Sequence, residues 1–232
     1  MLFRSRTVVH LAASIRDQPR ASIEELNAVA TLRLLQAAER TGAERFVFFS
    51  ALGASLHGRA RFFRAKALAE RAVEGSPLRT IVFAPSIVYS PRDPWIRLLE
   101  RMSLLPAMPV SGSGRALYQP IWADDAAAAV TAALDSADGR ARYELAGPET
   151  LSYDDMARET LLALRRRRRL VHMPLPAVRA GLRTLEALAG KSSFATWEEA
   201  ELMEIPMTTP RGTADAEALG VRPRSMREVL GA

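Results

Sequence analysis

Phe62 and Lys66 stand four residues apart in the stretch HGRARFFRAKALAERAV, residues 57–73. At that spacing two side chains share one face of a helix, one turn apart. Thirty of the 32 basic residues are arginine, and only Lys66 and Lys191 are lysine, a hint that position 66 wants an ammonium. An ammonium lowers the pKa of a phenol beside it, but the phenyl ring of Phe62 can neither donate nor accept a proton. The plainer readings are an exposed helix lysine and, for Phe62 and Phe63, ordinary core aromatics. Ser50 ends the apolar run RFVFFSA, 45–51, either as a polar group at a strand tip or as a turn residue. Tyr89 and Tyr118 are the other phenols that could serve such a site.

Other chemistries find less support. His10, His57 and His172 lack any HxxxH or HxH spacing, so no metal site is expected, and His10 reads as a satisfied core residue inside a strand. No G-x-S-x-G elbow exists for a hydrolase. Asp124 and Asp125 read most cheaply as a helix N-cap and first-turn pair.

These residues need a scaffold. TVVHLAA at 7–13, RFVFFSA at 45–51 and RTIVFAPSIVY at 79–89 are continuous apolar runs of strand character. They alternate with helices expected over 22–41, capped by Ser22 with Glu25 and closed by Gly42, and over 60–74. Fully apolar strands alternating with helices imply βαβ units and a parallel sheet covered on both faces. Residues 91–120 turn Pro-rich and hold SGSG at 111–114. Helices are expected near 94–105 and over 123–134, 152–167 and 176–190, with a short one in ATWEEAELM. Strands are expected at 141–147 and in RLVHMPLP. The fold class is α/β, a Rossmann-like parallel sheet with a small, mainly helical C-terminal lobe. Residues 1–90, with 119–147, form a partial nucleotide-binding domain; 91–118 and 148–232 form the lobe.

The chain has 232 residues, a net charge of +6 and no cysteine. No segment approaches 18 uninterrupted apolar residues, so a soluble protein without a membrane span is expected, and the absent cysteines fit the cytoplasm. The charges are scattered through amphipathic segments without interleaved aromatics, which argues against nucleic acid. The exception is Arg165–Arg169, a solvated helix end or a contact for an anionic membrane surface or protein partner. LFRS at 2–5 reads like a translated sequencing adapter, so residues 1–5 are expected to be foreign and the native start to lie upstream.

VVHLAA at 8–13, RFVFFSALGAS at 45–55, FFRAKALAE at 62–70, VFAPSIVYSPRD at 82–93, QPIWADDAAAAV at 119–130 and YELAGPETLSYDDMA at 143–157 occur in the order of the extended and atypical short-chain dehydrogenase/reductases. The set most resembles the branch named for the NADPH-binding alpha-subcomplex accessory subunit of respiratory complex I. The resemblance implies an NAD(P)H cofactor, NAD or NADP undetermined, and an epimerase/dehydratase-like oxidoreductase. It puts Lys66 on the ribose hydroxyls, Ser50 near the substrate carbonyl, Ala12 and Ala13 beside the adenosine half, and Pro85, Ser86 and Ile87 at the nicotinamide carboxamide. Phe62 replaces the family's tyrosine, which implies weak or non-standard catalysis. The alternative is a non-catalytic nucleotide-binding assembly or regulatory module, complex I accessory-like or NmrA-like. The Gly-rich turn that holds the pyrophosphate is absent, and the resemblance implies an N-terminally truncated chain that begins at the family's fourth strand.

Overall fold

The computed structural model describes residues 5–91, 93–135, 141–189 and 197–231. A four-stranded parallel sheet forms its centre. The strands are β1 (Thr7–His10), β2 (Arg45–Phe49), β3 (Arg79–Pro85) and, much later in the chain, β8 (Ala141–Leu145), in the order β1-β2-β3-β8. Register runs His10 to Phe48, Phe49 to Phe83, and Phe83 to Tyr143.

β2 and β3 bury mainly apolar residues, Thr80 being a buried polar exception, because both faces are covered. On one face Phe46, Phe48 and Val82 meet Leu35 and Ala38 of α1 (Ala30–Arg40) and Ala69 and Val73 of α2 (Arg61–Gly75). On the other, Val47, Ile81 and Phe83 meet Ala126, Ala129 and Ala133 of α4 (Ala123–Asp135) and Ala216 of α8 (Ala214–Ala218). The expected capping box forms: Ser22 N donates to Glu25 and Glu25 N to Ser22 Oγ. Between that box and α1 lies a π-helical segment, Glu25–Val29, which the sequence did not announce.

The second lobe is mainly helical, with short strands added. It contains α3 (Pro94–Met102), α5 (Tyr153–Ala163), α6 (Leu175–Ala189), α7 (Trp197–Leu202) and α9 (Met226–Leu230). Three two-stranded sheets join them: β5 (Ala107–Ser111) with β10 (Arg169–Met173), β4 (Val88–Tyr89) with β7 (Ile121–Trp122), and β6 (Leu117–Tyr118) with β9 (Leu151–Ser152). Ser152 caps α5 in a capping box with Asp155.

The central strands are also shorter than the apolar runs. β1 stops at His10 rather than residue 13, β2 at Phe49 rather than 51, and the third run splits into β3 and β4 around Ser86. Apolar character continues past β2 because Ala51 and Leu52 are buried at its tip, whereas Leu11, Ala12 and Ala13 past β1 are exposed. Asp124 and Asp125 both lie inside the first turn of α4, not at its cap, and Asp125 is buried. It accepts hydrogen bonds from Arg224 N at 2.8 Å and Arg224 Nη2 at 3.1 Å, so it anchors the C-terminal segment. Residues 1–4 and Lys191 fall outside the described residues.

Candidate functional site

Parallel strands end on a common side, which places His10, Phe49 and Pro85 along one edge of the sheet. Helix α2 runs against β2 and carries Phe62, Lys66 and Glu70 at successive turns of one face.

Lys66 Nζ donates to the Phe49 carbonyl at 2.7 Å. Phe49 is one residue beyond the last β1–β2 pair, so the ammonium serves a carbonyl that β1 has left behind. The residue is only 2% exposed and forms no ion pair among the described residues. Nζ lies 4.9 Å from the centre of the Phe48 ring and 5.8 Å from that of Phe62. Burial without a counter-charge lowers its pKa from an ordinary 10.5 to about 8. An exposed helix lysine is thereby excluded. His10 stacks on Phe48 with centroids 5.9 Å apart, and its Nε2 is 2.9 Å from Thr31 Oγ1. Burial first, then the Lys66 charge, lowers its pKa and keeps it neutral at pH 7.

Ser50 is buried, and its Oγ donates to Glu70 Oε2 at 2.5 Å. Glu70 Oε1 accepts from Arg142 Nε at 2.7 Å, and Arg142 Nη1 reaches Glu144 Oε1 at 2.6 Å. Thr209 Oγ1 then donates to Glu144. Sequence reasoning missed Glu70, Arg142 and Glu144; the one local signal was Glu70's place a turn beyond Lys66.

Pro85 ends β3, and its carbonyl accepts from Leu52 N at 2.8 Å. Ser86 Oγ donates to the Met207 carbonyl at 2.7 Å and accepts from Gln119 N at 3.0 Å, which clasps the lobe onto the sheet edge. Ile87 packs into the lobe's core. Ala12 and Ala13 are exposed just past β1. Asn27, fully buried in the π-helical segment, secures the next residue: Nδ2 donates to Ser14 O at 2.7 Å and Oδ1 accepts from Ser14 N at 3.2 Å. It was also missed. The structure thus gathers Ser50, Phe62, Lys66, Pro85 and Ser86 at one edge, sets Ala12 and Ala13 at the neighbouring strand tip, and turns Ile87 toward the lobe.

Neither alternative phenol suits the site. Tyr89 donates to Ser225 O and Tyr118 to Met203 O, and burial raises both pKa values, the direction opposite to an acid useful at neutral pH.

A dinucleotide makes two demands. For the ribose, Lys66 offers a three-proton donor with a single protein hydrogen bond among the described residues, which fits a hydroxyl partner. For the pyrophosphate, no described residue fits. The SGSG loop is occupied by the chain's own carboxylates: Ser113 N donates to Glu204 Oε1 at 2.8 Å, and a Cβ on Gly114 would strike Asp154.

Comparison with known proteins agrees with this architecture. Residues 2–146 match the family described as NAD dependent epimerase/dehydratase. A curated relative, NADH dehydrogenase [ubiquinone] 1 alpha subcomplex subunit 9, mitochondrial, of Arabidopsis thaliana, is 28% identical over 201 residues, covering 84% of this chain and 49% of the relative. The protein of the same name in Mus musculus is 23% identical over 195 residues, covering 82% and 51%. The chain spans about half the length of these relatives. Among solved structures, Thermus thermophilus UDP-glucose 4-epimerase in complex with NAD superposes with a TM-score of 0.71 at 19% identity, covering 98% of this chain and 76% of that one. UDP-glucuronic acid 4-epimerase from Bacillus cereus gives 0.70 at 16%, covering 98% and 73%. The Rossmann-like fold and the resemblance to short-chain dehydrogenase/reductases both hold, and the chain belongs to the NAD dependent epimerase/dehydratase family.

Proposed function

We propose that this protein binds NAD(P)H along the C-terminal edge of its parallel sheet, as an oxidoreductase with weak or non-standard catalysis. The observation that carries the reading is Lys66: a buried ammonium at a strand tip, with no ion pair among the described residues, one turn from a ring that has no ionisable proton. Lys66 holds the ribose hydroxyls, and the small Ala12 and Ala13 let the adenosine half approach the backbone. Pro85, Ser86 and Ile87 bound the carboxamide, and Ser50, oriented by Glu70, stands nearest a substrate carbonyl. When bound, the cofactor supplies a hydride. Phe62 withholds the general acid, a contribution worth roughly 10²–10⁴-fold. NAD(P)H fluorescence with the protein expressed from its full gene tests this, and no binding at millimolar cofactor ends the reading. These 232 residues alone bind weakly, since no described residue fits the pyrophosphate; micromolar affinity by calorimetry would contradict that.

Phe62 also favours a second reading, a module that keeps the nucleotide without turnover and serves assembly, as the names of the curated relatives suggest. Robust turnover on carbonyl or sugar-nucleotide substrates that disappears in Lys66→Ala would exclude it.

A further inference from the structure

The Arg165–Arg169 run divides by parity. Arg166 Nη1 donates to Glu100 O at 3.1 Å and Ser103 Oγ at 2.5 Å, and Arg168 Nε to Ser103 O at 2.9 Å. These two tie the end of α5 to the last turn of α3, where free carbonyls need donors. Arg165, Arg167 and Arg169 are exposed and make no ion pair among the described residues.

Apolar side chains crowd the same corner. Leu104 and Leu105, directly after Ser103, are 67% and 48% exposed, and Leu162 in the last turn of α5 is 54% exposed. Strand β10 then presents Arg169, Val171 and Met173 outward, in register with Ala107, Pro109 and Ser111 of β5. Val171 is 49% exposed and Met173 39%. Residues 97–108 and 160–173 hold seven arginines (97, 101 and 165–169) against one acid, Glu100. The carboxylates beyond the Met173 end, Asp154 and Glu204, are engaged by His172 and Ser113.

We propose that this corner docks the protein on an anionic phospholipid surface, Leu104 and Leu105 entering the headgroup boundary while Arg165, Arg167 and Arg169 meet lipid phosphates. Exposed apolar clusters rimmed by charge mark interaction sites. Leucines on a projecting turn and a flat two-stranded face suit a bilayer better than a groove suits a peptide helix. Guanidinium groups pair well with phosphates. No described helix is long and apolar enough to cross a membrane, so the contact is peripheral.

Flotation of the chain with vesicles of phosphatidylcholine alone, or mixed with phosphatidylglycerol, tests the proposal. Binding to the mixed vesicles only, weakening with salt, is expected. Each arginine contributes about fivefold, so the triple variant Arg165→Asn, Arg167→Gln, Arg169→Gln loses on the order of a hundredfold. Asparagine is chosen at 165 because its φ is 54°, which asparagine tolerates. Leu104→Glu with Leu105→Glu abolishes binding, with folding of each variant checked by circular dichroism. Indifference to both vesicle types, or equal binding by all variants, overturns the proposal. Vesicle-independent binding to polyglutamate through the same arginines would assign the corner to an acidic protein and also overturn it.

Discussion

Lys66 Nζ is hydrogen-bonded to the carbonyl of Phe49 at 2.7 Å, one residue past the point where β1 leaves β2. The sheet needs a donor there, and the chain supplies a charged one in a site shielded by Phe48 and Phe62. A neutral donor would complete the strand end at less cost in desolvation. In the proposed function the ribose hydroxyls would give this ammonium its further partners.

That cost makes stability depend on pH. The Lys66 pKa falls from 10.5 unfolded to about 8 folded, so between those values the unfolded chain binds more protons. Stability contributed at this site rises with pH across that window, by about 3 kcal/mol at most. Buried Tyr89 and Tyr118 have raised pKa values and oppose the gain only above pH 10, where unfolded phenols ionise. Urea unfolding from pH 7 to pH 10 shows the rise in the wild type and a flatter profile in Lys66→Met.

Restoring a phenol tests the empty acid position. In Phe62→Tyr the ring lies one turn from Lys66, which while charged, below its pKa of about 8, favours the phenolate, so the two titrate as a coupled pair with the phenol moved below an ordinary ~10. Ultraviolet difference titration of the variant reads that shift without any substrate. Turnover, where measurable, rises by roughly 10²-fold or more.

Asp125 holds the C-terminal segment through the Arg224 backbone and guanidinium, while that guanidinium lies 3.5 Å from the Trp122 ring centre. Asp125→Ala leaves the Arg224 amide without its acceptor and costs about 1–3 kcal/mol. Thermal unfolding checks this, and limited proteolysis places the loosening at residues 221–231.

Gly147 leaves no room for a side chain, since a Cβ there collides with the Pro120 carbonyl. The obstacle is backbone held by Gly147 N on Gln119 O at 3.0 Å, so it cannot move aside cheaply. Gly147→Ala loses about 3 kcal/mol or more, read as a lower denaturation midpoint with an unchanged slope.

Local rules carried much of the fold. Ser22 with Glu25 and Ser152 with Asp155 cap helices where the sequence puts them, because a capping box is complete within four residues. The apolar runs located β1, β2 and β3 but overshot their ends. Past β2, Ala51 and Leu52 stay buried and Leu52 N still bonds the Pro85 carbonyl, whereas past β1 the apolar Leu11, Ala12 and Ala13 are exposed. What stayed hidden depends on long-range partners. Ser50 meets Arg142 through Glu70, and Asp125 meets Arg224 across 99 positions. Lys66 was legible as unusual for this arginine-rich chain, but its burial was not. Asn27 was hidden too, because its task depends on a π-helical segment that leaves no compositional mark.

The ammonium's hold on a ribose is tested most directly by NAD(P)H titration of the full gene product, wild type against Lys66→Met, below and above the Lys66 pKa of about 8. Wild-type affinity is expected to fall as pH rises through that value. The variant should bind roughly 10–100-fold more weakly, as loss of a charged hydrogen bond predicts, and show no pH step. Equal affinity in both proteins at both pH values would contradict the account.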